Sequence, residues 1–201
     1  MRKITLIDRI VLALLVLIAS YQIVSGLNRF SGITVFYFTV AFGVLIIAGL
    51  LLILFGYEIL KNQFVIVIAT LIPLSLSLGL ISNNYRDFHL PYLIFAFVGL
   101  ILIAITRLSP SKTLATVSIV LVHGISGITI FLLPILLYIK KSTPFEILFI
   151  SLGATLIGIG GILLAFLQTG RSIISGKFIF ALLPWILFLT TLAFYAGLGG
   201  L

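Results

Sequence analysis

The 201-residue chain has no cysteine and only four acidic residues, Asp8, Glu58, Asp87 and Glu146. The first absence excludes disulfides, thiolate-ligated iron–sulfur clusters, thiol relays and cysteine nucleophiles. The second, set against twelve Lys and Arg, leaves a net charge of +8. Charge of either sign is scarce, at 8% of residues, while 62% are hydrophobic; soluble domains run at about a quarter charged and half apolar. One water-surrounded core cannot absorb that excess. A soluble enzyme, a nucleic-acid-binding domain and a disordered tail are therefore excluded. The basic residues sit singly or in pairs between apolar runs, as topology signals do, and form no nucleic-acid stripe.

What is present is a series of membrane-length apolar runs. Seven spans are expected near 10–27, 33–57, 64–81, 90–106, 114–139, 145–168 and 178–197, joined by short connectors. Unbroken apolarity lacks the period-2 alternation of a membrane β-barrel, so the expected fold is all-α, a polytopic helix bundle in one transmembrane domain. With the N-terminus cytoplasmic, the inner side holds Arg2, Lys3, Arg9, Lys61, Arg107, Lys112, Arg171 and Lys177. The outer side then holds Arg29, Arg86, Lys140 and Lys141. Eight against four predicts N-in, C-out. The basic lead before the first span suggests a signal peptide, but Val24–Ser25–Gly26 is a poor cleavage site, so the segment reads as a retained helix. Short connectors and the lack of a targeting segment point to the plasma membrane of a prokaryote.

The spans pair into hairpins whose first helices begin near Ile10, Phe64 and Ser118, in steps of 54 residues. Their second helices carry Phe38-x4-Gly43, Phe95-x3-Gly99 and Phe149-x3-Gly153. Proline falls in the first-type helices, at Pro73, Pro134 and Pro184. A rival division, three helices, a linker helix and three more, aligns Ile47–Leu50 with Ile159–Ile162. That is the plan of the small parallel-repeat sugar and vitamin transporters, although no proline here is followed by the glutamine of their signature. Hairpins with glycine in the second helix resemble, in plan, the small HdeD-type membrane proteins.

Membrane function usually shows as an ionisable residue at depth, because charge is costly there. No carboxylate, Lys or Arg lies at mid-span, which argues against proton pumps and acid-coupled transporters. Glu58 and Lys61 are spaced for a surface ion pair. Asp87 reads as a helix cap before Pro91, and Glu146 as a first-turn carboxylate after Pro144. His123 is the exception, about 13 Å into the fifth span at helical rise. It opens His123-Gly124-Ile125-Ser126-Gly127, where small residues admit a neighbouring helix and Ser126 can hydrogen-bond across. A neutral structural histidine and a solute contact are the competing readings. His89 sits at the membrane edge, so the two imidazoles cannot bracket a haem, and without a carboxylate they make no metal site. Neither a Gly-x-Ser-x-Gly elbow nor a phosphate loop occurs. No enzyme activity and no cofactor are expected.

In the sixth span Ala154, Gly158, Gly161 and Ala165, spaced four, three and four, form a small-residue seam for helix contact. It serves either packing within the bundle or docking onto another subunit. Prolines 73 and 184 have hydroxyl neighbours, Ser75 and Ser77 and then Thr190 and Thr191, that could solvate a bend. Two functions follow as expectations. The first is a non-catalytic integral membrane subunit or scaffold that packs against other membrane proteins. The second is a facilitative transporter or capture component for a small neutral or apolar solute, contacted by His123, Ser126, Ser77 and Thr191. The expected partners are the lipid bilayer and other integral membrane subunits, with no nucleic acid.

Overall fold

The computed structural model describes residues 2–30, 32–109, 111–168 and 174–200, except for the side chains of Lys112, Gln168 and Gly200. Helix α1 (Leu6–Tyr21) runs into a π-helical turn, Gln22–Gly26. Helix α2 (Ile33–Phe55) is followed by a 3-10 turn, Gly56–Lys61, and then by α3 (Gln63–Ala69) and α4 (Leu71–Asn84). Next come α5 (Arg86–Leu108) and α6 (Lys112–Ile139). A 3-10 turn at Phe145–Ile147 leads into α7 (Leu148–Gln168). Helix α8 (Gly176–Tyr195) ends in a second π-helical turn, Ala196–Gly200. Among the described residues there is no strand. The chain is an all-α bundle.

Seven segments are long and apolar enough to cross a bilayer: Leu6–Gly26, Ile33–Lys61, Gln63–Asn84, Arg86–Leu108, Thr113–Ile139, Phe145–Leu167 and Gly176–Gly199. Large apolar side chains such as Leu17, Leu54, Phe97 and Ile105 are exposed around the outside. Water would penalise that surface and lipid does not, so this is a multi-pass integral membrane protein in contact with the bilayer. The connector expected at Thr169–Lys177, with its Arg171, lies partly outside the described residues.

Helix starts follow from local chemistry. At the end of the bundle carrying the N-terminus, four helices begin on side-chain caps. Thr5, Asn62, Ser111 and Ser175 accept from backbone N–H groups of α1, α3, α6 and α8. Each satisfies donors that lipid could not. At α1 the cap is reciprocal: Thr5 Oγ1 accepts from the Asp8 amide, and Asp8 accepts from the Thr5 amide at 2.8 Å. Asp8 is also paired with Arg2 at 3.3 Å and is only 2% exposed. The third span breaks at Thr70, three residues before Pro73, whose ring cannot donate to the Ala69 carbonyl. Asp87 is not the cap of α5: the helix begins one residue earlier, at Arg86, and Asp87 is a first-turn acid. Glu58 and Lys61 are both exposed and form no ion pair among the described residues.

Six helices pack in a ring, each on its neighbours in the order α1, α2, α4, α6, α7, α8 and back to α1, while α5 lies outside against α4 and α6. Side chains from all six fill the half of the ring away from the N-terminus, among them Ala19, Phe38, Leu76, Ile130, Ile150 and Phe194. A second cluster at the N-terminal end joins Leu12, Leu15, Leu52, Tyr57 and Phe180. The three glycines of the hairpin pattern have different surroundings. Gly99 lies against Val122 and Gly153 against Phe194, whereas at Gly43 no neighbouring element comes within 4 Å of the place a Cβ would take.

Candidate functional site

The four polar residues expected to contact a solute fall into two kinds. Ser77 and Thr191 are fully buried, and each donates to its own helix one turn back. Ser77 reaches the carbonyls of Pro73 at 2.7 Å and Leu74 at 3.0 Å, and Thr191 that of Leu187 at 2.8 Å. Such bonds satisfy a hydroxyl in lipid and leave it little to offer a ligand. Ser126 is fully buried with no partner for its hydroxyl among the described residues, and Nδ1 of the partly buried His123 is equally unpartnered. Ser77 stands on α4, which packs on α6, but Thr191 stands on α8, which packs on α1 and α7. None of the four is among the described residues that line a cavity at the end opposite the N-terminus or a groove between α4, α5 and α6.

Three of the four α7 seam residues face outward, while Ala154 is half-buried against the main core. Gly158, Gly161 and Ala165 are exposed, and neither glycine has another atom within 4 Å of the place a Cβ would take. Packing within the bundle uses a different stripe of the same helix. A Cβ on Gly153 would sit 2.6 Å from the Phe194 ring, and one on Gly160 would sit 3.1 Å from Ile186. Ser151 tethers α7 on another side, donating to the Phe131 carbonyl of α6 at 2.7 Å.

Two features escaped the sequence reading. Gln22 is fully buried at the start of the first π-helical turn, and neither atom of its amide has a partner among the described residues. A lone Gln inside an apolar run was a legible signal, because an unpaired buried amide costs about 1–3 kcal/mol.

The second feature is a cavity of about 470 Å³ at the end opposite the N-terminus. Its apolar floor is Phe38, Leu80, Ile150 and Leu198, all nearly inaccessible. Its rim is polar and comes from three separate connectors: Arg29 after α1, Asn83 and Asn84 ending α4, and Thr143 and Glu146 before α7. The C-terminal π-helical turn closes the fourth side. Gly199 has φ +83°, and the Arg29 guanidinium occupies the space a Cβ would need, so only glycine fits there. Arg29 Nη2 donates to the Gly197 carbonyl at 3.5 Å, and the guanidinium lies 5.0 Å from the centre of the Phe30 ring. Partial burial pulls the guanidinium below its usual range, offset in part by attraction to Glu146. Arg29 and Glu146 nevertheless form no ion pair among the described residues. Asn84 spends one amide hydrogen on the Leu80 carbonyl at 2.8 Å, while the Thr143 hydroxyl has no partner among the described residues. The arrangement offers opposite charges and hydrogen-bonding groups around an apolar base, suited to holding a small amphiphilic molecule. Among the described residues no three His, Asp or Glu side chains gather as metal ligands.

No protein-family model, curated protein or solved structure matches the chain.

Proposed function

We propose that this protein is a non-catalytic integral subunit or scaffold of a membrane complex, docked through the outward seam of α7. It is inserted with its N-terminal end cytoplasmic, in the plasma membrane of a prokaryote. The observation that supports docking is the pair of open glycines, Gly158 and Gly161, followed one turn on by the exposed Ala165. Small residues let helix backbones approach closely in lipid, where packing and hydrogen bonds replace the hydrophobic effect as the driving force. The helix has such a stripe to spare after its own bundle is packed. The inward orientation rests on the excess of Lys and Arg at the N-terminal end.

The test is intact mass after gentle solubilisation from the native membrane. Wild-type protein should emerge in an assembly heavier than its own 21.9 kDa. Gly158→Leu and Gly161→Leu should lose the partner while melting at the wild-type temperature, since neither leucine meets its own bundle. If both variants assemble normally, α7 is not the docking helix.

A second reading is facilitated passage of a small neutral or apolar solute. It draws on the Ser126 hydroxyl and His123 Nδ1, both buried without a hydrogen-bond partner among the described residues. A lone chain or a homo-oligomer, with ligand-dependent thermal shifts abolished by His123→Ala, would favour it over docking.

A further inference from the structure

We propose that the far-end cavity binds a zwitterion carrying an apolar group, its anion held by Arg29 and its ammonium by Glu146. The inference is independent of docking, because the exposed seam takes no part in the cavity. Four observations converge on it. Opposite charges line one half-open cavity, both side chains exposed at its rim, and form no ion pair with each other among the described residues. Arg29 is instead placed by the Gly197 carbonyl and by Gly199, whose missing side chain leaves room for the guanidinium. The Thr143 hydroxyl is buried without a partner among the described residues. Finally, the floor is apolar and the mouth polar, so a ligand with a charged head and a greasy body matches both.

The shared chemistry is an anion and an ammonium a few bonds apart, joined to hydrocarbon. Two sources supply it: a free apolar α-amino acid, or the headgroup of a phosphatidylethanolamine at the membrane edge. A single anion would leave Glu146 facing it across the cavity, and a single cation would leave Arg29 in the same position. Either mismatch costs affinity through like-charge repulsion.

The test uses the full chain in detergent and in nanodiscs. Calorimetry with L-phenylalanine is compared with 3-phenylpropionate, which lacks the ammonium, and phenethylamine, which lacks the carboxylate. Each analogue should bind at least about tenfold more weakly, the loss of one charge-assisted contact. Native mass spectrometry in parallel asks whether phosphatidylethanolamine is retained in preference to phosphatidylglycerol. Amino-acid binding identifies a soluble ligand, and selective lipid retention identifies a headgroup; Arg29→Gln and Glu146→Gln should abolish whichever is seen. The analogue series and lipid selectivity are read on wild-type protein, so they stand even if a variant misfolds. The proposal is overturned if neither zwitterion binds, if the one-charge analogues bind as well as phenylalanine, or if well-folded variants bind normally.

Discussion

Gly79→Ala is expected to lower the melting temperature in detergent, while Gly43→Ala leaves it unchanged or raises it. Both glycines lie inside apolar helices, where in water alanine is favoured over glycine by up to about 1 kcal/mol. Propensity alone would predict the same sign for both. The surroundings reverse it at one site. A Cβ on Gly79 would fall on the Phe38 ring, whereas nothing lies within 4 Å at Gly43. Phe38 is fully buried, meets Phe30 edge-on with ring centres 4.9 Å apart, and sits in the cluster joining all six ring helices, so the side open to it is the far-end cavity whose floor it forms. Over-packing a core of this kind costs about 1–3 kcal/mol. The close approach of α2 and α4 depends on this contact, so leucine at position 79 should prevent the native bundle from forming. Equal melting temperatures for the two alanine variants would mean that Phe38 can move aside and that the contact does not hold the helices together.

The second large effect is expected at the opposite end. Asp8→Ala removes three contacts at once: the acceptor for the Thr5 amide, the 3.3 Å pair with Arg2, and the charge that holds the Arg2 guanidinium against the Phe180 carbonyl at 3.3 Å. A lost helix cap costs about 1 kcal/mol. Breaking a fully buried ion pair costs about 3–5 kcal/mol, but the Arg2 side chain is 25% exposed and water takes over part of its solvation. Together these give a destabilisation of about 2–3 kcal/mol. Asp8→Asn keeps an acceptor for the amide and should lose less. Arg2 ties α1 to α8 across the chain, so the alanine variant should also raise proteolysis and hydrogen exchange at both helix starts. If Asp8→Asn is as damaging as Asp8→Ala, the ion pair outweighs the cap; if neither variant changes the melting temperature, the cluster is incidental.

The seven spans were legible because their signal is additive. Each run is about 17 residues or longer and predominantly apolar, and no arrangement of neighbours is needed to satisfy it. Local caps were less so. Asp87 and Asp8 looked alike as acids before a span, yet Asp8 closes a reciprocal cap three residues from Thr5, while Asp87 falls inside the first turn of α5. One residue of offset separates those roles, and apolar runs do not define helix ends that finely. Gln22 was legible and passed over. The far-end cavity was not legible at all. Its rim comes from residues 29, 83–84 and 143–146, which are neighbours only because α1, α4 and α6 all end at the same side of the membrane. In sequence, Arg29 reads as a topology charge and Glu146 as a first-turn acid, and neither reading brings the two together.

The amino-acid sequence by itself determined that this is an all-helical, multi-pass membrane protein, because burying apolar length in lipid depends on composition and run length alone. It also placed one small-residue stripe on α7, Ala154, Gly158, Gly161 and Ala165, since a spacing of four, three and four is a property of the helix. Which way that stripe faces was decided by tertiary structure. Gly153 and Gly160 receive Phe194 and Ile186 of α8, so Gly158 and Gly161 are left facing outward. Helical periodicity states which residues share a face. Only the shapes of the neighbouring helices select the face that is buried, and with it the surface left for a partner and the charges gathered around a cavity.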